Sequence, residues 1–388
     1  TTRGGAAIVV DDAAARYPVT VDPVLTIPAR SWAGSGFDAH LGSSVAAAGD
    51  VNGDGYGDVL ISEWQYDAGG VNMAGKAFLY MGGPNGPATT PAWSDSGVDN
   101  IEWFGREVAS AGDVNADGYD DFVVGAPNSE ASGYVGGGRV MVYYGSATGV
   151  KAQFTTIPGF VPAGRYGLHV TYAGDVNGDG YDDVYFAGED AIYLYFGGPG
   201  VLQLNGFTRR YVGALNFDPG PILGGGGDLN GDGYDDLLLV NYLHDDTIQV
   251  NLGGPNPRLN TYDWGVYVPN GQVRSVAFAG DVDGDGRSDV LMGEPEVTIG
   301  ALTKAGRARL LRGSASLPAS YAWSLDGTAA EARLGDFVAT AGDLDADGYA
   351  DFAVGETQYA GYDGRVLIVH GRSSGLASVA WDQQLTSP

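Results

Sequence analysis

Six stretches of this 388-residue chain gather carboxylates at a spacing that suits one kind of chemistry. The first is Asp50-Val51-Asn52-Gly53-Asp54-Gly55-Tyr56-Gly57-Asp58, and near-copies begin at Asp113, Asp175, Asp228, Asp281 and Asp343. Each reads D-x-[N/D]-x-D-G-x-x-D. In a tight loop alternate side chains point inward, so positions 1, 3 and 5 converge. Glycine at position 6 supplies a turn that other residues resist. A backbone carbonyl at position 7 and a carboxylate at position 9 can then close a cage. The predicted oxygen donors are Asp50, Asn52, Asp54, Tyr56 and Asp58 in the first loop, and Asp113, Asn115, Asp117, Tyr119 and Asp121 in the second. They continue as Asp175, Asn177, Asp179, Tyr181 and Asp183, then Asp228, Asn230, Asp232, Tyr234 and Asp236. The last two sets are Asp281, Asp283, Asp285, Arg287 and Asp289, and Asp343, Asp345, Asp347, Tyr349 and Asp351.

Hard oxygen donors in a flexible loop suit Ca²⁺, whereas Mg²⁺ wants a stricter octahedron and keeps its waters. No sulfur and no histidine lies inside any copy, which argues against zinc or copper. The opening matches the first six positions of an EF-hand loop, but there is no Glu at position 12 and strand-like sequence follows. Asp, Asn and Gly also mark ordinary turns. A turn alone does not need six clusters of carboxylates, which repel at ~3 kcal/mol per pair at an effective dielectric near 20. The expectation is six Ca²⁺ sites.

The elements that must hold these loops are short. Glycine is 65 of 388 residues, helix-period patterns are scarce, and brief β runs alternate with Gly, Asn, Asp and Pro. The first aspartates recur at intervals of 53 to 63 residues, which indicates a repeat array rather than separate domains. In the second unit, Val108–Gly112 leads into the loop, Asp121–Pro127 and Gly138–Gly145 are second and third strands, and a weaker fourth lies near Gln153–Ile157. Four strands per unit, with small residues in the first, fit a propeller blade whose innermost strand lines a narrow channel. The chain is all-β and reads as one propeller domain, 1–388.

Net charge is −28, and the loop ligand positions hold 20 of the 48 acidic residues. Six divalent ions would bring the charge to −16. That disfavours nucleic acid and anionic membrane as partners. There are no cysteines, so neither disulfides nor thiol chemistry are available. No apolar run approaches a bilayer span. Thr1-Thr2-Arg3-Gly4-Gly5 lacks the character of a signal peptide, so the expectation is a processed protein or a piece of a longer one. Calcium loops of modest affinity, roughly 10⁻⁴–10⁻³ M in extracellular modules, fill outside cells, which points to a secreted or cell-surface protein, monomeric as this fragment.

The repeats resemble FG-GAP repeats, as in the propeller of integrin α subunits and related bacterial proteins. The signature is an aromatic-Gly pair eight residues before the loop's first Asp, with a Gly-Ala-Pro-like end to strand two. The pairs are Leu41-Gly42, Phe104-Gly105, Tyr166-Gly167, Pro219-Gly220 and Leu334-Gly335, while the fifth unit has Gln272-Val273. Strand two ends in Gly125-Ala126-Pro127, Gly293-Glu294-Pro295 and Gly355-Glu356-Thr357 in units two, five and six. Fourth strands carry Trp93, Trp264, Trp323 and Trp381, read as packing between blades. Pro28–Trp32 looks like Ala319–Trp323, so a fourth strand precedes unit one. It would compete with the Trp381 strand for one place in a six-bladed ring. The expectation is therefore seven blades, with 1–33 as an irregular blade without a metal loop and 34–388 as six repeats. The alternative is six blades plus an N-terminal hairpin.

No catalytic set is legible. His40, His169, His244 and His370 lack ligand-spaced partners, and the Gly-Gly pairs after third strands read as turns. Glu63, Glu189, Glu294 and Glu296 leave a polysaccharide-active enzyme or a lectin as alternatives. The acids at position 8, Asp120, Asp182 and Asp235, are expected to face solvent. The metal loops open on one face of the disc. The other face carries Trp64, Tyr66, Tyr134, Tyr242, Tyr359 and Tyr362, and in integrin α propellers the equivalent face meets partner subunit and ligand. The resemblance implies a protein-binding or adhesion module, not an enzyme, with a protein or glycan ligand on that face. These aromatics could equally pack only their own loops.

Overall fold

A computed structural model describes residues 32–35, 39–130, 133–189, 191–202, 207–211, 222–240, 247–259, 261–268, 273–316, 321–359, 364–373, 375–376 and 381–386. Among these, every regular element is a β-strand, and the strands form six antiparallel four-stranded sheets. Blade one is Leu41–Gly49, Asp58–Glu63, Lys76–Tyr80 and Trp93–Ser96, paired in that order. Blade two is Val108–Gly112, Asp121–Ala126, Arg139–Tyr143 and Phe154–Pro158. The other four blades begin at His169, Ile222, Ser275 and Leu334. Among the described residues the fold is an all-β propeller of six blades, which fits the six-bladed alternative. The blade expected from 1–33 falls outside the described residues except at Trp32 and Ala33.

Second and third strands are apolar on both faces because each blade is sandwiched between neighbours. The cores accordingly lie between blades. Phe122 and Tyr143 of blade two pack with Leu60 and Leu79 of blade one, and Phe352 and Val369 of blade six pack with Leu291 and Leu310 of blade five. Two of the expected fourth-strand tryptophans fill these seams. Trp93 sits 4.9 Å from Phe122 and 4.7 Å from Tyr143, and Trp323 sits 5.1 Å from Phe352, both in edge-on contact with the next blade. First strands are narrow: Gly224 to Gly227 form most of the one in blade four.

The glycines of the repeat signature prove to be a weld between blades. Phe104, Tyr166 and Leu334 each form a parallel bridge to the glycine before the preceding blade's third strand, at Gly75, Gly138 and Gly306. Gly125 and Gly293 lie against the carbonyls of Gly167 and Gly335, so a β-carbon at either would overlap backbone. That is why strand two ends in glycine where it faces an aromatic-Gly pair.

The edge between blades six and one differs. At the loop's second position Val51, Val114, Val176, Leu229 and Val282 are buried by the following blade, whereas Leu344 of blade six is 54% exposed. Phe337 on the first strand of blade six is 69% exposed, and Val45 on that of blade one 59%. A separate apolar cluster, Ile61, Phe78 and Tyr80, lies on the free flank of blade one with Trp32 against it. The Trp32 ring is 5.1 Å from Tyr80, and its Nε1 donates to the Ala88 carbonyl. Tyr80 faces Val59 across the sheet as Tyr143 faces Phe122. Trp32 thus takes in blade one the seat that Trp93 takes in blade two.

Gly125→Ala should destabilise the protein by about 1–3 kcal/mol through overpacking at the weld. Urea unfolding checks this; a midpoint equal to that of the parent protein would contradict the weld.

Candidate metal-binding loops

Each loop joins a first to a second strand, and all six lie on one face of the ring. The acid at position 1 folds its own loop. Asp50 Oδ1 accepts from the Asp54 N–H at 3.0 Å and Oδ2 from the Gly55 N–H at 2.7 Å. Asp175 and Asp228 repeat the pair with Asp179 and Gly180, and with Asp232 and Gly233. At position 3, Asn52 Oδ1 accepts from the Asp54 N–H. At position 5, Asp54 Oδ1 accepts from the Tyr56 N–H. Glycine at position 6 sits at positive φ, +86° at Gly55 and +88° at Gly233, which is what the turn asks of it.

The position-9 carboxylates do something the sequence reading missed. Asp58, Asp121, Asp183, Asp236, Asp289 and Asp351 are all buried. In five loops one oxygen accepts from the loop's second N–H, as Asp183 does from Val176 at 3.1 Å. In all six the other accepts from the glycine just beyond the third strand, as Asp183 does from Gly197 at 2.8 Å. The acid therefore clasps loop to third strand, and outside loop six, where His370 Nδ1 also lies 3.0 Å from Asp351 Oδ2, each oxygen keeps one lone pair for a cation. Its type was legible from the repeat; its backbone partners lie too far along the chain to be read.

Position 8 requires a correction. Asp120, Asp182 and Asp235 do not simply face solvent; each reaches the preceding blade. Their carboxylates accept from the N–H groups of Asp50, Asp113 and Asp175 at 2.6, 2.8 and 3.0 Å. The N–H of position 8 also donates to the carbonyl of the preceding first aspartate, from Asp120, Asp182, Asp235, Ser288 and Ala350. The residue after each third-strand glycine donates to the preceding loop's second carbonyl, from Ser146, Gly198, Gly254, Ser314 and Arg372. Five junctions thus share two backbone bonds. Among the described residues neither joins blade six to blade one.

Electrostatics fit a cation. Burial pushes the carboxyls of Asp121 and Asp183 up to about 8, and those of Asp236 and Asp289 up to about 7, with neighbouring loop carboxylates adding to the rise and backbone N–H donors opposing it. The carboxylates at positions 1, 3 and 5 converge within 4.8 Å in the fifth loop (Asp281, Asp283, Asp285) and the sixth (Asp343, Asp345, Asp347). Asp283 Oδ1 and Asp345 Oδ1 are buried without a hydrogen-bond partner. A hard dication would satisfy such orphaned oxygens, so the donor set fits one.

The other predicted residues divide. Trp64 packs edge-on against Trp103 at 5.1 Å, with Arg106 over its ring. Lys76 lies over Tyr66, Arg365 lies 3.8 Å over Tyr359, and Tyr134 is exposed. Tyr242 and Tyr362 lie outside the described residues. The spare acids are engaged. Glu63 accepts from Ser35, Glu294 pairs with Arg309 at 3.0 Å, Glu296 with Lys304 at 3.2 Å, and Glu189 lies 3.7 Å from Arg165. His169 pairs with Glu107.

A ring of four-stranded blades, each tipped by an acidic hairpin, defines a class, and the comparisons agree with it. Residues 41–80, 104–143 and 335–369 match the FG-GAP repeat, and 228–292 an FG-GAP-like repeat. The chain is similar to integrin alpha-PS2 of Drosophila melanogaster, 30% identical over 234 residues, or 54% of this chain and 16% of that protein. Integrin alpha-5 of Xenopus laevis is 29% identical over 245 residues, 58% of this chain and 22% of that protein. Human integrin alpha-IIb is 30% identical, over 40% of this chain and 16% of that protein. The chain thus spans only about a fifth or less of these relatives' length. It is an FG-GAP, integrin-α-like β-propeller.

The raised carboxyls set a pH dependence. A carboxyl whose folded pKa lies above its unfolded one favours folding at low pH, and that contribution is lost as pH rises through the folded value. In EGTA the melting temperature should fall between pH 5 and pH 9, most steeply below about pH 7 and levelling off above about pH 8, and calcium should flatten the fall. A melting temperature in EGTA that rises across this range would contradict the assignment.

Proposed function

We propose that this is an exported, calcium-stabilised propeller that acts as a protein-binding or adhesion module. The carrying observation is the hairpin tip itself: converging oxygens, two of them buried and unpartnered, repeated around one face of an integrin-α-like ring. In each of the six loops the side chains at positions 1, 3, 5 and 9 and the carbonyl at position 7 would hold one Ca²⁺. The ion neutralises the carboxylate cluster and tethers the hairpin; it supplies no chemistry beyond that. The seat is secreted or at the cell surface, where calcium is abundant.

The ligand face lies opposite, around Trp64, Tyr66, Tyr134, Tyr242, Tyr359 and Tyr362. Likeness to integrin α chains favours a protein ligand. The engagement of Glu63, Glu294 and Glu296 by neighbours speaks against a polysaccharide-active enzyme. Residues 1–33 supply a seventh blade in this reading. Trp32 already occupies on blade one the seat of a preceding blade's tryptophan, and blade six presents an apolar groove of Phe337, Val338, Ala353, Val366 and Leu385 to whatever follows it.

Three experiments test these parts. EGTA should lower the melting temperature by several degrees, and an unchanged value would remove the structural role of the ion. Deleting residues 1–31 should lower it further and raise dye binding to apolar surface, whereas an unaltered protein would favour six blades. The triple variant Trp64→Ala, Tyr66→Ala, Tyr362→Ala should lose capture of a cell-surface protein ligand while its melting holds. Binding on a glycan array instead would make it a lectin.

A further inference from the structure

Loops five and six break a pattern that the first four keep. Position 3 is Asn52, Asn115, Asn177 and Asn230 in loops one to four, but Asp283 and Asp345 in the last two. The residue before the glycine that follows each third strand is Met81, Tyr144, Phe196 and Leu252 in blades one to four. In blades five and six it is Arg312 and His370. The fold brings the two changes together. Arg312 Nε is ion-paired with Asp283, whose side chain is only 7% exposed. His370 Nδ1 lies 3.5 Å from Asp345 and 3.0 Å from Asp351. With asparagine at position 3 no cation is needed, and the amides of Asn52, Asn177 and Asn230 donate instead to the aspartate at position 5.

We propose that Arg312 is a tethered counter-cation that sets the calcium affinity of the fifth loop: it holds the third ligand in the ion's absence and competes with the ion for that carboxylate. This deepens the calcium reading and rests on it. The guanidinium cannot shed its charge. It takes one oxygen of Asp283 and leaves Oδ1 buried and unpartnered, facing the convergence of Asp281 and Asp285. Arg287 adds a second positive charge at position 7, 3.6 Å from Asp285, although its Nε is engaged by the Asn230 carbonyl at 3.2 Å. An entering ion must therefore share or displace a neighbour at the third ligand that the asparagine loops lack; in loop two the cation, Lys151, pairs instead with the fifth ligand, Asp117. Removing Arg312 leaves four carboxylates without that rival. Their repulsion then weakens the metal-free fold, and their pull on a dication strengthens.

The test counts ions by native mass spectrometry across a calcium titration, together with melting in EGTA. Arg312→Leu, which gives blade five the residue of blade four, should bind one ion at about three- to tenfold lower free calcium and melt lower in EGTA. The double variant Asp283→Asn, Arg312→Leu restores the loop-four combination and should recover the melting temperature. These opposite signs separate a counter-cation from a merely structural arginine, whose loss would weaken both. Unchanged or weaker ion binding in Arg312→Leu would overturn the proposal. A parent protein that takes up no calcium would instead overturn the reading of the loops.

Discussion

The buried carboxylate at the ninth position of each loop is the constraint from which the rest follows. It must be buried, because it stitches the loop's second residue to the end of the third strand from inside the blade. Burial makes its charge expensive, and its neighbours at positions 1, 3 and 5 are acids too. A charge so placed is stable only with protons or a cation beside it. One acid thus ties hairpin geometry, blade integrity and metal demand together.

The ring is assembled from the same parts. The aspartate that opens a loop offers its backbone to the next blade, and the position-8 acid of that blade accepts its N–H. Loops are therefore linked in series rather than standing as independent tips. At the junctions made by Ser288 and Ala350 the carboxylate is gone, and the two backbone bonds remain. Between blades six and one, the exposure of Leu344 and Phe337 shows what a blade looks like without its following neighbour among the described residues.

Much of this was legible in the sequence, for a physical reason. The loop acids sit within nine residues, so local spacing states their convergence, and alternation of small and apolar runs states the blades. What spacing does not state is contact between repeats. Asp120 looked like a solvent-facing acid because Asp50, its partner, lies 70 residues away. The glycine of the aromatic-Gly pair marked the repeat, but spacing did not state that Gly167 is packed against Gly125 of the blade before it. Trp32 was read as a fourth-strand tryptophan by its likeness to Trp323; what the fold shows is its ring packed on Tyr80 of blade one. The face opposite the loops was the least readable, since aromatic residues there pack on their own neighbours as readily as on a ligand. Trp64 against Trp103 is the example.

What organises the chain, on this account, is a divalent ion at every acidic hairpin tip. Anomalous scattering from crystals grown with calcium tests that most directly. The account predicts a peak in each of the six loops, with oxygens of positions 1, 3, 5, 7 and 9 at about 2.3–2.6 Å. Loops that hold only water at saturating calcium, in a ring otherwise intact, would contradict it.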